Sequence, residues 1–178
     1  MGIENKVIAV ATAEVGYLEK KNNSQLNSKT ANAGNNNYTK YGQYFGMNGN
    51  AWCDMFVDWC FIKAYGREKA KKLLCGGFSA YTPTSAQYYK NKRQWYKNPK
   101  AGDQIFFKNS VRICHTGLVY KVSGGMVYTI EGNTSGASGM IANGGGVCKK
   151  SYAIGYSRIA GYGRPDYSIV GGNKNMGT

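Results

Sequence analysis

The run His115-Thr116-Gly117-Leu118-Val119-Tyr120-Lys121-Val122 is followed, after Ser123-Gly124-Gly125, by Met126-Val127-Tyr128-Thr129-Ile130-Glu131. Both runs are rich in β-branched and aromatic residues, and a glycine turn this short can only fold the second back on the first as an antiparallel hairpin. The chain must therefore build an antiparallel sheet around these two strands. If the turn comprises three residues, Val122 faces Met126, and counting back along the ladder sets His115 opposite Asn133. Glu131 lies two residues from Asn133 and shares its face. Directly opposed side chains sit about 4.5 to 5.5 Å apart at Cβ, so a histidine, a glutamate and an asparagine placed this way can share hydrogen bonds. A two- or four-residue turn would move every opposed position by one and spoil the match. The alternative reading is a solvated polar strand end.

His115 is the only histidine in the chain, which leaves one candidate base. A candidate nucleophile stands upstream. The segment Trp52 to Tyr65 reads as a helix, with Phe56, Trp59, Cys60 and Ala64 forming an inward stripe and Asp58 and Lys63 open to solvent. Cys53 falls at its start. The thiolate is the reactive form of cysteine, and a helix N-terminus together with a nearby imidazolium stabilises it. Cys60, two turns further along nearly the same face, reads as a small buried hydrophobe.

The remaining organisation is compatible with one domain, since 178 residues can bury a core without metals or disulfides. Residues 3 to 19 carry apolar side chains at helical spacing, and residues 22 to 50 turn to Asn, Gly, Ser and Tyr, which is loop chemistry whose tyrosines suit a groove lining. Helical stretches follow near Arg67 to Leu74 and Ser85 to Arg93. Asn98 to Phe107 is a turn feeding a strand, Gly136 to Gly146 carries no chemical signal, and Ile154 to Tyr162 is strand-like. The last residues, from Gly171, have linker composition.

Five cysteines, at 53, 60, 75, 114 and 148, show neither CxxC pairs nor a dense disulfide framework, so at least one thiol is free. The N-terminus has no basic segment leading into a long apolar run, and no stretch has the length of a membrane span. These features predict synthesis in the cytoplasm without a signal peptide and no membrane insertion. A net charge of +14 draws the protein toward polyanions, but no helix-turn-helix, zinc-finger or RRM-type motif accompanies it, so nucleic acid is not an expected partner.

Several segments together resemble the CHAP domains, cysteine- and histidine-dependent amidohydrolases and peptidases of phage endolysins and bacterial autolysins. The matching segments are Asn37-Tyr38-Thr39-Lys40-Tyr41, Trp52-Cys53-Asp54-Met55-Phe56-Val57, Pro99-Lys100-Ala101-Gly102-Asp103, His115-Thr116-Gly117-Leu118-Val119 and Glu131-Gly132-Asn133-Thr134. The resemblance implies an α+β, papain-like fold of the NlpC/P60 type, with N-terminal helices packed on an antiparallel β-sheet. It places a catalytic domain at 1–165 and a tail or start of a linker at 166–178. It further implies Cys53 as nucleophile, His115 as general base and later acid, Glu131 as the group orienting the imidazole, and Asn133 as a fourth polar member. Some family members bind calcium in an acidic loop before the nucleophile, but here that stretch is Gly46-Met47-Asn48-Gly49-Asn50 and has no carboxylate, so neither metal nor cofactor is expected.

The implied function is hydrolysis of a peptidoglycan amide bond at the bacterial cell wall, either as an N-acetylmuramoyl-L-alanine amidase or as an endopeptidase of the stem peptide or cross-bridge, in a monomeric phage or prophage endolysin. Anionic wall polymers are a second expected partner. Two other readings are a non-catalytic wall-binding module and a cysteine hydrolase of another amide.

Overall fold

A computed structural model of the chain describes residues 2–171. Its helices are α1 (Asn5–Ala13), α2 (Lys40–Phe45), α3 (Cys53–Tyr65), α4 (Arg67–Leu73) and α5 (Thr82–Asn91). The strands are β1 (Trp95–Tyr96), β2 (Gln104–Lys108), β3 (Ile113–Ser123), β4 (Met126–Thr134), β5 (Gly146–Ala153) and β6 (Ile159–Gly163). Every pairing is antiparallel, in the order β1-β6-β2-β3-β4-β5. The fold is α+β, as the hairpin and the resemblance imply.

The central helix α3 is more deeply enclosed than its sequence suggests. Eleven of its thirteen residues are buried, because α1, α2 and α4 cover the sides the sheet leaves open. A helix buried all round shows no single apolar stripe. Asp58, expected at the surface, is only 3% exposed and accepts a hydrogen bond from the Ser79 N–H at 3.1 Å. Tyr41, expected in a groove lining, is fully buried, and its ring packs against Trp52, Phe56 and Trp59.

The first helix is shorter than expected. It ends at Ala13, and Gly16, with φ of +98°, turns the chain so that Tyr17 to Lys20 make backbone bonds with Val147, Lys29, Gly145 and Tyr38. Within the long loop, Thr39 Oγ1 accepts from the Gly42 N–H and starts α2.

Both sheet faces are covered. Phe106, Leu118, Ile130 and Val147 join the helices in one core, while Ile105, Phe107, Val119, Val127, Tyr152 and Tyr162 form a second cluster. The alternation of neighbouring residues between the two clusters is the period-two pattern of a strand.

The central hairpin departs from the simplest count in two places that cancel. Gly124 and Gly125 both have positive φ, 59° and 78°, the backbone of a two-residue turn, so Ser123 pairs with Met126 and Val122 with Val127. Tyr120 is then an extra residue on β3, bulged out between the Lys121–Tyr128 and Val119–Thr129 pairs. The bulge restores what the shorter turn removed. Leu118 faces Ile130, the pairing that the three-residue count gives at this point of the ladder.

The chain also stays packed beyond the domain boundary expected at 165. Tyr167 donates to the Gly102 carbonyl at 2.6 Å and stacks on Phe61. Residues 172 to 178 of the expected tail lie outside the described residues.

Candidate active site

Cys53 is the first residue of α3. The first N–H groups of a helix have no partner within it, so the sulfur sits at the positive end of the helix dipole. Trp52, the residue before it, is anchored. Its indole N–H donates to Glu19 Oε1 at 2.9 Å, and its ring stacks on Tyr41 at 5.5 Å. The sulfur is thereby held at a defined place, with Cys53 only 5% exposed.

His115 is fully buried on β3, beside the ring of Phe107. Its Nε2 lies 2.8 Å from Glu131 Oε1. The other carboxylate oxygen of Glu131 accepts from Thr129 Oγ1 and, at 2.8 Å, from the Tyr152 hydroxyl. Three partners on one buried carboxylate leave it little freedom to rotate away from the ring. Gly117 makes the approach possible, because a Cβ at that position would come within 2.5 Å of Glu131 Cγ.

With Nε2 occupied, Nδ1 is the nitrogen left for the sulfur, and it closes no hydrogen bond of its own. Burial resists a charge on the imidazole, but the neighbouring Cys53 sulfur, and after it Glu131, outweigh burial and raise the pKa to about 10. The two neighbours thus favour the doubly protonated ring.

Asn133 is drawn away from this trio. Its backbone is left-handed, with φ of +55°, which interrupts the alternation of strand faces. Its carboxamide oxygen accepts from the Gly145 N–H and its carbonyl from the Gly144 N–H. The Nδ2 group is buried without a partner. Among the described residues no hydrogen bond joins Asn133 to His115 or Glu131, so the shared polar trio narrows to a pair braced by other residues.

Behind the cysteine lies a network the motifs did not announce. Asp54 is fully buried and accepts from Ser85 Oγ at 2.6 Å and from Gln104 Nε2 at 3.4 Å. Gln104 also donates to Thr116 Oγ1 and accepts from the Tyr89 hydroxyl, which ties α3, α5, β2 and β3 together. Burial raises the Asp54 carboxyl to about 7, against the lowering effects of its two hydrogen bonds and of His115. Asp58 is raised as well, by burial and by Asp54.

Thr129, Tyr152 and Asp54 were not among the expected site residues. Thr129 could have been found, because it lies two residues from Glu131 on the same strand face. Tyr152 could not, since β5 carried no clear strand signal.

The CHAP domain family matches residues 44–133, half of the 178-residue chain, and the chain belongs to that family. The fold is also that of two solved structures, "The crystal structure of Ly7917" and "The crystal structure of Ly7917 with the hydrolyzing product of MDP". The first aligns with a TM-score of 0.52 at 12% identity, covering 92% of this chain and 62% of the other. The second aligns with a TM-score of 0.52 at 13% identity, covering 93% and 63%. The chain thus spans less than two thirds of either structure. No curated protein matches it.

Proposed function

We propose that this protein hydrolyses an amide bond of peptidoglycan with Cys53 as the nucleophile. The observation that carries the reading is the buried His115, bonded through Nε2 to Glu131 and left with a bare Nδ1 beside Cys53. The Cys53 sulfur attacks the amide carbonyl carbon, forming an S–C bond and an oxyanion. Collapse of that intermediate breaks the C–N bond, and the proton held on His115 goes to the departing amine. His115 then takes a proton from water, the hydroxyl adds to the thioester, and loss of the sulfur frees a carboxylic acid.

The N–H of Cys53, at the start of α3, is a fixed donor available to both oxyanions. Glu131 holds the ring in place and offsets its charge. An intact Cys53, His115 and Glu131 favour this reading over a wall-binding module without activity. The excess positive charge supports action at an anionic cell wall, in the manner of an endolysin. The bond cut is that between muramic acid and L-alanine or one within the stem peptide or cross-bridge.

The test is mass spectrometry of fragments released from purified walls. The native protein should create one kind of new terminus, and the terminus names the bond. Cys53→Ala, folded by circular dichroism, should release none. Fragments from the folded variant would refute the assignment of the nucleophile.

A further inference from the structure

From Gln104 to Gly163 the chain carries six cationic side chains, Lys108, Arg112, Lys121, Lys149, Lys150 and Arg158, and one carboxylate, Glu131. Glu131 is fully buried and engaged at His115. Apart from the buried Lys150, these cations reach the surface with no exposed carboxylate from the same stretch to neutralise them.

Two of those cations, Lys149 and Lys150, line one groove of about 310 Å3 at the hairpin end of the sheet, together with Tyr120, Tyr128, the loop 136–139 and Ser151, and Lys121 stands beside it over the Tyr128 ring. Lys121, Tyr128 and Ser151 are directly opposed across β3, β4 and β5, so they form one row across the sheet. The Lys121 ammonium stands over the Tyr128 ring at 5.2 Å, and the Lys149 ammonium over the Tyr120 ring at 5.0 Å. Lys150 is buried and donates to the carbonyls of Ser135 and Ala137 at 2.9 and 2.6 Å, which fixes the loop as the far wall. The groove thus has an ordered wall, two half-buried tyrosines, the Lys149 ammonium positioned on its lining and the Lys121 ammonium at its edge.

We propose that this groove binds a phosphodiester-linked polyol polymer. Its charged groups are donors only, which suits phosphate oxygens. A neutral glycan needs acceptors for its hydroxyls as well as donors, and no carboxylate or carboxamide side chain lines the groove. A single-stranded nucleic acid would stack its bases on exposed ring faces. Here a lysine stands over each ring. Bound at this end of the sheet, such a polymer would hold the protein on a wall. The proposal does not depend on hydrolysis.

The test measures binding of the full protein to a fluorescent glycerol-phosphate oligomer over a range of salt. The variant is Lys121→Gln with Lys149→Gln, and the control is Lys69→Gln with Lys72→Gln, which removes the same charge from α4. The groove variant should bind about tenfold more weakly, with the slope of log affinity against log salt reduced by about two, one per lysine. The α4 control should change little. Ser151→Glu, which puts a carboxylate into the row, should weaken binding as well.

Equal losses in groove and α4 variants would overturn the proposal in favour of unspecific charge. Tighter binding of a charge-matched oligonucleotide, or competition by a neutral N-acetylglucosamine oligomer, would overturn it in favour of another polymer. The groove variant should still hydrolyse peptidoglycan stripped of phosphate polymers, so failure of this proposal and failure of the catalytic one read out separately.

Discussion

At the scale of single residues, Glu131 is the group on which the site's geometry converges. It accepts from Thr129 and Tyr152 while bonding to His115. Glu131→Gln puts an amide where a carboxylate met these groups, weakens the support for an imidazolium, and faces at least one donor with another. Turnover should fall by about two orders of magnitude or more. Stability should fall by about 1 to 3 kcal/mol, the cost of an unsatisfied buried donor. Steady-state hydrolysis and chemical denaturation of the same preparation check both; full activity would remove Glu131 from the mechanism.

Asp54 gives a second prediction at this scale. Its carboxyl is raised to about 7 by burial, so the folded protein holds a proton that the unfolded chain releases near pH 4. Between those values the unfolded state binds fewer protons, and stability must fall as pH rises from about 4 to about 7. Asp58, shifted in the same direction, adds to the slope. Asp54→Asn should flatten the decline, and urea denaturation across that range is the measurement.

At the scale of elements, the hairpin shows what a sequence makes legible. The glycine turn, the strand alternation and the helix beginning at Cys53 could all be read, because each is written in consecutive residues. The bulge at Tyr120 could not. Nothing in Val119-Tyr120-Lys121 distinguishes a bulged residue from a paired one, and the expected register at Leu118 was reached because an error of one at the turn met an extra residue in the strand. Burial of Asp58 and the reach of Tyr152 were equally hidden, since each depends on elements distant in the chain. Asn133 was legible by position but not by contact, because its left-handed backbone falls where the β4–β5 register shifts between Glu131 and Thr134.

The bulge carries its own prediction. Deleting Tyr120 removes the unpaired residue and leaves Leu118 opposite Ile130, so the His115–Glu131 contact and hydrolysis should survive. Deleting Val119 and Tyr120 together moves His115 by one step to the other face, which should abolish activity. An active double deletion would show that the register does not position the base.

At the scale of the whole molecule, the nine acidic residues are unevenly disposed against twenty-three basic ones. Glu19, Asp54, Asp58, Asp103 and Glu131 are buried, so the surface is more cationic than the net charge of +14 suggests. Binding to purified walls should weaken steeply as salt rises through physiological ionic strength, where the Debye length is about 8 Å. A sedimentation assay across salt concentrations checks this, and a flat response would make the basic surface incidental.

The burial of His115 extends this to acidity. No other side chain in the sequence has an ordinary pKa near neutrality, and the one that does is enclosed and paired. Between about pH 5 and pH 9 the outer charge of the protein is therefore nearly constant. A change of pH across that range leaves this charge in place, whereas a change of ionic strength screens it. Acidity near neutrality thus leaves the face this molecule shows to its surroundings unchanged, and dissolved salt alone sets how far that face is felt.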